Sequence, residues 1–398
     1  MIELIGLVVA FALIVSLPLK RVNIALSISI AAIVVAIFSG KSIQEFALGA
    51  FFAIIDQTTV TLAMTVTTIG ILGYCMRQTH LIDDLVGGLK KILPGRILIA
   101  VIPAIIGLMP MPGGALFSAP LIEDEASRLH LSAEKKTVVN IVFRHVWFYS
   151  FPLSTTLIFA SGLTGVSLFD LMVIQLPSFF VAIALGYVMV LHGLARTAPD
   201  GGQQSRSIVL AGLAPILAAV LLNMSGLNLA LSVSLGIVVA LLIKRVRIKE
   251  SLTMLWKGIP WTPVLSIIAV MILARMIEDS GVIPILTGAM KGANVPLLVF
   301  ASLVPFILGV VSGLPMAGIG ISVPIILSLA GSPTPALVSV IVLATYAGYY
   351  VSPLHLCLLL SNQYYRAKIQ GVYRTWIPYV FAVCGVGILL DYLWLSIR

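Results

Sequence analysis

Residues 108–120 read LMPMPGGALFSAP, a proline- and glycine-rich stretch set inside apolar sequence. A near-copy stands at 314–324, LPMAGIGISVP. Pro110-Met111-x-Gly113 matches Pro315-Met316-x-Gly318, and Ser118-x-Pro120 matches Ser322-x-Pro324 after one single-residue gap. A second pair follows each copy: YSFPL at 149–153 answers YVSPL at 350–354. The offset is 205 residues for Pro110 and Pro315, 204 for Pro120 and Pro324, and 201 for Pro152 and Pro353. So steady an offset indicates an internal duplication of about half the chain.

Composition says where such a chain can fold. Of 398 residues, 60% are apolar and 10% charged, against about 25% charged in soluble domains, and mean hydropathy is +1.13. Apolar runs near 20 residues recur along the whole length, which predicts an all-α polytopic membrane protein. A membrane β-barrel would need short segments of alternating polarity instead. The net charge of +9 is no nucleic-acid footprint, because the Lys and Arg residues sit between the apolar runs, where they orient spans. Cys75, Cys357 and Cys384 have unrelated spacings, which suggests neither a disulfide framework nor a metal site. The N-terminus carries Glu3 and no basic cluster, so the first apolar run is expected to stay as a span.

The first repeat, 1–193, reads as spans at 4–19, 22–39 and 57–76, with 42–55 lying along the interface. A hairpin at 94–127, a span at 135–162 broken at Ser150–Pro152 and a span at 168–192 complete it. Residues 194–207, LARTAPDGGQQSRS, form a polar cytoplasmic linker. The second repeat, 208–398, runs in the same order: spans at 208–222, 227–243 and 260–277 with an interfacial helix at 249–257, then a hairpin at 295–329. A span at 336–361 broken at Ser352–Pro353 and a last span at 376–395 close it.

The arms of the first hairpin, 94–108 and 115–126, are too short at 1.5 Å per residue to cross a ~30 Å hydrocarbon core comfortably. A Pro/Gly turn at that depth also needs protein or cavity water to satisfy its backbone. Each hairpin is therefore expected to be re-entrant. Each half then has five crossings, and an odd number inserts the second half upside down. Charge agrees. With the N-terminus outside, only Lys41, Arg144, Arg275, Lys291 and Arg398 of the 24 basic residues fall outside or within the membrane, leaving 19 on the cytoplasmic side. The expectation is two inverted repeats of five spans, both termini outside, in the plasma membrane.

A helix interrupted inside the membrane exposes uncapped N–H or C=O groups. Its N-terminal ends attract an anion and freed carbonyls attract a small cation. The candidate substrate-binding residues are Gly113, Gly114 and Ser118 in the first hairpin and Gly318 and Ser322 in the second. Ser154, Thr155 and His355 at the breaks join them. Arg144, within NIVFRHVWFY, is the most expensive residue to insert and the candidate counter-ion for an anion, with His145 nearby; the plainer alternative is snorkelling to the cytoplasmic interface. His355 aligns with Ser154 and could bind an anion or carry a coupled proton; the plainer alternative is a buried, structurally bonded histidine. Ser150, Thr156, Ser312, Gly313 and Ser352 are candidates for a coupling ion. For the hydroxyls, the plain reading is capping of backbone groups freed by Pro152 and Pro353; for the glycines, close helix packing. Asp56 could pair with a cation, and its plainer reading is an interfacial helix-start residue; Glu123, Asp124 and Glu125 read as a solvated cytoplasmic loop.

In architecture the chain resembles the ion transporter superfamily, which includes divalent-anion–sodium symporters and citrate, gluconate and C4-dicarboxylate permeases. The likeness lies in inverted five-span repeats, a hairpin before the fourth span and a break within it. The better-studied branches carry Ser-Asn-Thr motifs at the tips; here the tips read Met111-Pro112-Gly113-Gly114 and Met316-Ala317-Gly318, without Asn. The resemblance implies a homodimer with an elevator-like transport domain. The expected function is secondary transport of a small anionic solute driven by Na⁺ or H⁺, with no other cofactor. A channel on the same scaffold is the alternative. An intramembrane enzyme is disfavoured because no HExxH or GxSxG pattern is present.

Overall fold

The computed structural model describes residues 2–20, 22–108, 114–195, 205–292 and 296–397. Among them every regular element is helical and there is no strand. The first half runs α1 (Ile2–Leu19), α2 (Ile24–Phe38), α3 (Ile43–Ile55), α4 (Gln57–Gln78), α5 (Leu81–Ile92), α6 (Gly95–Gly107), α7 (Gly114–Arg128), α8 (Ala133–His145), α9 (Thr155–Thr164), α10 (Leu168–Ile174) and α11 (Leu176–Gly186), the last continued by a π-helical turn, Tyr187–Leu191. The second half runs α12 (Ser205–Met224), α13 (Leu229–Ile243), α14 (Ile248–Lys257), α15 (Trp261–Glu278), α16 (Val282–Gly292), α17 (Leu297–Ser312), α18 (Pro315–Ala330), α19 (Pro335–Val351), α20 (Leu356–Tyr365) and α21 (Ile369–Ile397). The order is the same in both, except that one helix, α21, stands where the first half has α10 and α11, which meet at a 47° bend.

Polar residues set the helix starts. Asn23 Oδ1 accepts from Ala25 N, and Ser42 and Glu45 form a reciprocal box ahead of α3. Asp56 ends α3 and caps α4, its Oδ1 accepting from Thr58 N (2.9 Å) and Thr59 N (3.3 Å), so its helix-start reading describes its geometry. Glu123, Asp124 and Glu125 belong to the last turns of α7 instead of a loop, and Glu123 takes a 2.6 Å ion pair from Lys136.

Among the described residues five helices are long and apolar enough to cross a membrane, and a sixth if the bent pair α10–α11 counts as one span. Several others are apolar but shorter. Large side chains such as Ile5, Leu26, Leu210, Leu221, Leu231, Leu389 and Trp394 face outward. An outer surface this apolar fits a protein solvated by lipid.

The packing is reciprocal between halves. Helix α2 lies on α15 and α13 lies on α4; α3 packs on α15 and α14 on α4. Helix α7 meets α20 and α18 meets α9, while α21 lies on α8 and α10 on α19. Even the ion pairs correspond: Lys41, after α2, reaches Asp279 at the end of α15, and Lys244, after α13, reaches Asp84 on α5, which follows α4. The bulkiest fully buried side chains, Trp376, Tyr149, Tyr346, Tyr350 and Phe159, gather around the interruptions after α8 and α19.

Candidate functional site

Both interruptions fall at the expected prolines. Helix α8 gives way to one 3-10 turn, Val146–Phe148, and then to irregular chain until Thr155 opens α9. Helix α19 stops at Val351, and α20 starts at Leu356. Proline removes an amide donor and clashes with the preceding turn, so carbonyls are freed at each break; Phe148 O is one that a candidate hydroxyl meets, while Ser150 and Ser352 bond carbonyls of neighbouring helices. Ser150 Oγ donates to Met172 O (3.0 Å). Ser154 Oγ (3.3 Å) and the Tyr346 hydroxyl (3.0 Å) both donate to Phe148 O. Ser352 Oγ donates to Val310 O (2.5 Å) and accepts from Leu354 N (3.1 Å). Thr155 is half-buried at the first residue of α9, and buried Thr156 lies beside Tyr346.

The two breaks bring two histidines together. His145 ends α8 and His355 precedes α20, and both are buried. Their Nε2 atoms face each other at 3.3 Å. His145 Nδ1 lies 2.5 Å from Ile141 O, and His355 Nδ1 lies 3.4 Å from Tyr350 O. Phe148, Tyr349, Tyr350 and Trp376 surround the pair, with Tyr349 nearest, 4.3 Å from the His355 ring. Cys357 also comes close, so that the three polar atoms lie within 4.8 Å of one another. No carboxylate joins them among the described residues, and Arg144 acts electrostatically on both rings. A neutral donor set beside a fixed positive charge is poor ground for a divalent cation.

Arg144 is 4% exposed and does not snorkel to the surface. Its Nη1 is buried with no hydrogen-bond partner, and no carboxylate pairs with it among the described residues. The guanidinium rests against Gly114, the first residue of α7: a Cβ added there would sit 2.6 Å from Cζ. Gly107, at the end of α6, lets the backbone of Arg144 approach equally closely. A buried cation with an open N–H thus lies beside the first residue of α7. Gly113 lies outside the described residues, as do the other tip residues 109–112.

Ser118 sits one turn into α7, where its hydroxyl donates to Asn140 Oδ1 (2.6 Å). Asn140 Nδ2 donates to Ala115 O (2.9 Å) and Ser361 Oγ (2.8 Å), and Tyr365 donates to Ala119 O (2.9 Å). The first hairpin is thereby fastened to α8 and α20. The second hairpin is joined differently. Ser322 Oγ donates back to Gly318 O (2.7 Å), and Gly318 faces the Thr345 side chain. Ser312 Oγ donates to Leu308 O (2.6 Å) and Leu314 O (3.1 Å), while Gly313 turns the chain at φ +60°. The structure thus gathers Gly114, Arg144 and His355 with His145, and gives Ser118, Ser150, Ser312, Ser322 and Ser352 backbone or amide partners.

Sequence reading passed over Asn140, whose signal was one amide a turn before Arg144 in apolar sequence. It also passed over a second buried polar group. Asp391 of α21 lies beside Ser339 of α19, both buried, and Oδ2 of Asp391 has no hydrogen-bond partner. A carboxylate inside the last apolar run was the available signal.

No curated protein matches the sequence. A family profile described as "Protein of unknown function (DUF401)" matches residues 4–397. Since that match takes in nearly the whole chain, the protein belongs to the DUF401 family.

Proposed function

We propose that this protein is a secondary active transporter of a small anion, working by alternating access in the plasma membrane. The observation that carries the reading is the buried guanidinium of Arg144, with an unpartnered N–H, resting on the first residue of α7. A buried cation whose hydrogen-bonding capacity is not filled among the described residues costs free energy, and an anionic substrate would fill it.

The reciprocal packing supports two inverted repeats. A two-fold axis relating the halves requires each contact to recur with the halves exchanged, as α2–α15 and α13–α4 do. In this reading α6–α7 and α17–α18 are re-entrant hairpins from opposite faces, ten helical passes cross the bilayer, and both termini lie outside. Helices α1–α4 and α12–α15 form the scaffold of a homodimer, and the hairpins and broken helices move against it in an elevator-like step. The coupling ion is Na⁺ or H⁺.

The test is uptake into liposomes holding the purified full-length chain, with labelled acetate, succinate, citrate, phosphate and sulfate as probes. Saturable uptake of at least one, driven by a Na⁺ or pH gradient, is expected. Single-channel currents without saturation would instead make the protein a channel, and silence across the panel would sink the anion reading.

A further inference from the structure

The histidine pair makes three contacts, and counting hydrogens decides what they need. Ile141 O and Tyr350 O can only accept, so each contact to Nδ1 requires a hydrogen on that nitrogen. The Nε2–Nε2 contact at 3.3 Å requires one hydrogen between the two rings. Three contacts therefore use three hydrogens. Two neutral imidazoles carry one each. In the neutral pair, either two lone pairs face each other or one Nδ1 lone pair faces a carbonyl oxygen. The arrangement is complete only when the pair holds one additional proton.

We propose that His145 and His355 form the coupling site and bind a single proton, shared along the Nε2–Nε2 axis, together with the anion at Arg144. This rests on the anion-transport reading and names its coupling ion as H⁺. The bound form is a charge-assisted hydrogen bond between two rings supplied by opposite halves of the chain. One proton thus fastens the end of α8 to the start of α20, and motion that parts the rings releases it.

The surroundings make proton and anion interdependent. Facing the pair are Arg144 on α8, Tyr349 and Tyr350 on α19, Cys357 on α20 and the non-titrating Trp376 on α21. Arg144 is the one permanent charge among them. Alone it opposes a second positive charge in a buried site; with an anion bound, that opposition is cancelled. By linkage the proton then strengthens anion binding by the same factor. Asp391, a buried carboxyl lacking a charged partner among the described residues, stands 15 residues beyond Trp376 on the same helix, roughly 22 Å along its axis. It is the internal control.

The experiment uses the full-length protein in liposomes and whichever of the five probe anions is carried. An imposed gradient of one pH unit, acid outside, should raise equilibrium accumulation about tenfold per coupled proton. A Na⁺ gradient should leave it unchanged. His145→Gln and His355→Gln should each reduce the pH-driven gain to less than about twofold of the same variant's uptake without a gradient, whereas Asp391→Asn should keep it. A measurement on the wild type needs no variant: adding the carried anion to the weakly buffered, detergent-solubilised protein should take up about one proton per chain. Loss of the gain in Asp391→Asn alone, a response to Na⁺, abolition by a metal chelator or absence of proton uptake each overturns the proposal. If no anion is carried, the transport reading and the proposal fall together; if one is carried without a proton, only the proposal falls.

Discussion

The guanidinium of Arg144 rests on Gly114, and the same relationship recurs in the other half with different chemistry. In the second hairpin Gly318, which matches Gly113, the residue before Gly114 in sequence, packs against Thr345, and Thr345 occupies the place of Arg144 at an offset of 201. A Cβ on Gly318 would sit 2.7 Å from Thr345 Cγ2. A cation thus lies beside the first residue of α7, and a short neutral side chain beside the fourth residue of α18. Anion binding is expected to be asymmetric, centred on the first hairpin.

Removing that cation should be the sharpest perturbation. Arg144→Ala is expected to abolish the rise in thermal stability that a carried anion gives the wild type, while the protein still elutes as one species. At an anion concentration of 100 times Kd that stabilisation is about 2.7 kcal/mol. An undiminished thermal shift would remove Arg144 from the site. Gly114→Ala tests the contact from the other side: its methyl group must displace the guanidinium. Anion affinity should fall about tenfold or more, equivalent to about 1.4 kcal/mol, whereas Gly87→Ala, where nothing lies within 4 Å, should leave affinity unchanged.

Helices α17 and α19 are held together by a second glycine contact. A Cβ on Gly348 would fall 2.8 Å from Phe306 C and 2.9 Å from Val310 N, and backbone atoms cannot swing aside. Gly348→Ala should therefore force the helices apart and cost about 1–3 kcal/mol. A lowered melting temperature in detergent would register it. Gly385, with nothing within 4 Å, provides the comparison: Gly385→Ala should melt like the wild type.

The helix breaks were legible because proline and glycine mark interruptions whatever surrounds them. Pro152 and Pro353, read from sequence, fall where α8 and α19 are interrupted. Arg144 stood out because a charge in an apolar run demands a reason. Its partner surface at Gly114 could be foreseen only as a hairpin glycine. The histidine pair was half visible: His355 was flagged by alignment with Ser154, but its approach to His145 spans 210 residues. Nothing local in either segment encodes that meeting, which follows from packing α8 against α20. Asn140 was missed for the same reason, since Ser118 and Ser361 converge on it only in three dimensions.

Asn140 has a measurable structural task. Its side chain accepts from Ser118 and donates to Ala115 O and to Ser361, all buried. Asn140→Ala would remove the amide that joins Ser118 of α7 to Ser361 of α20, and a buried group left unsatisfied costs about 1–3 kcal/mol. The expected result is a marked loss of thermal stability and faster hydrogen exchange in α7, measured by mass spectrometry. Exchange in α7 equal to the wild type would show that the hairpin is held by other contacts.

Orientation of the two hairpins can be read directly. Arg128 ends the first hairpin and Ser332 follows the second, and both are exposed. If the halves are inverted, these residues lie on opposite faces of the membrane, Arg128 inside and Ser332 outside. Single cysteines at the two positions, in a background with Cys357→Ser to remove the half-buried native thiol, report this through a maleimide that cannot cross the bilayer. Ser332→Cys should react in intact cells and Arg128→Cys only after permeabilisation. Charge makes the same demand independently, because Lys135 and Lys136 follow Arg128 while no basic residue stands between 332 and 365. Equal labelling of both cysteines from outside would place the hairpins on one face, and a single site approached alternately from two sides could not then be built from them.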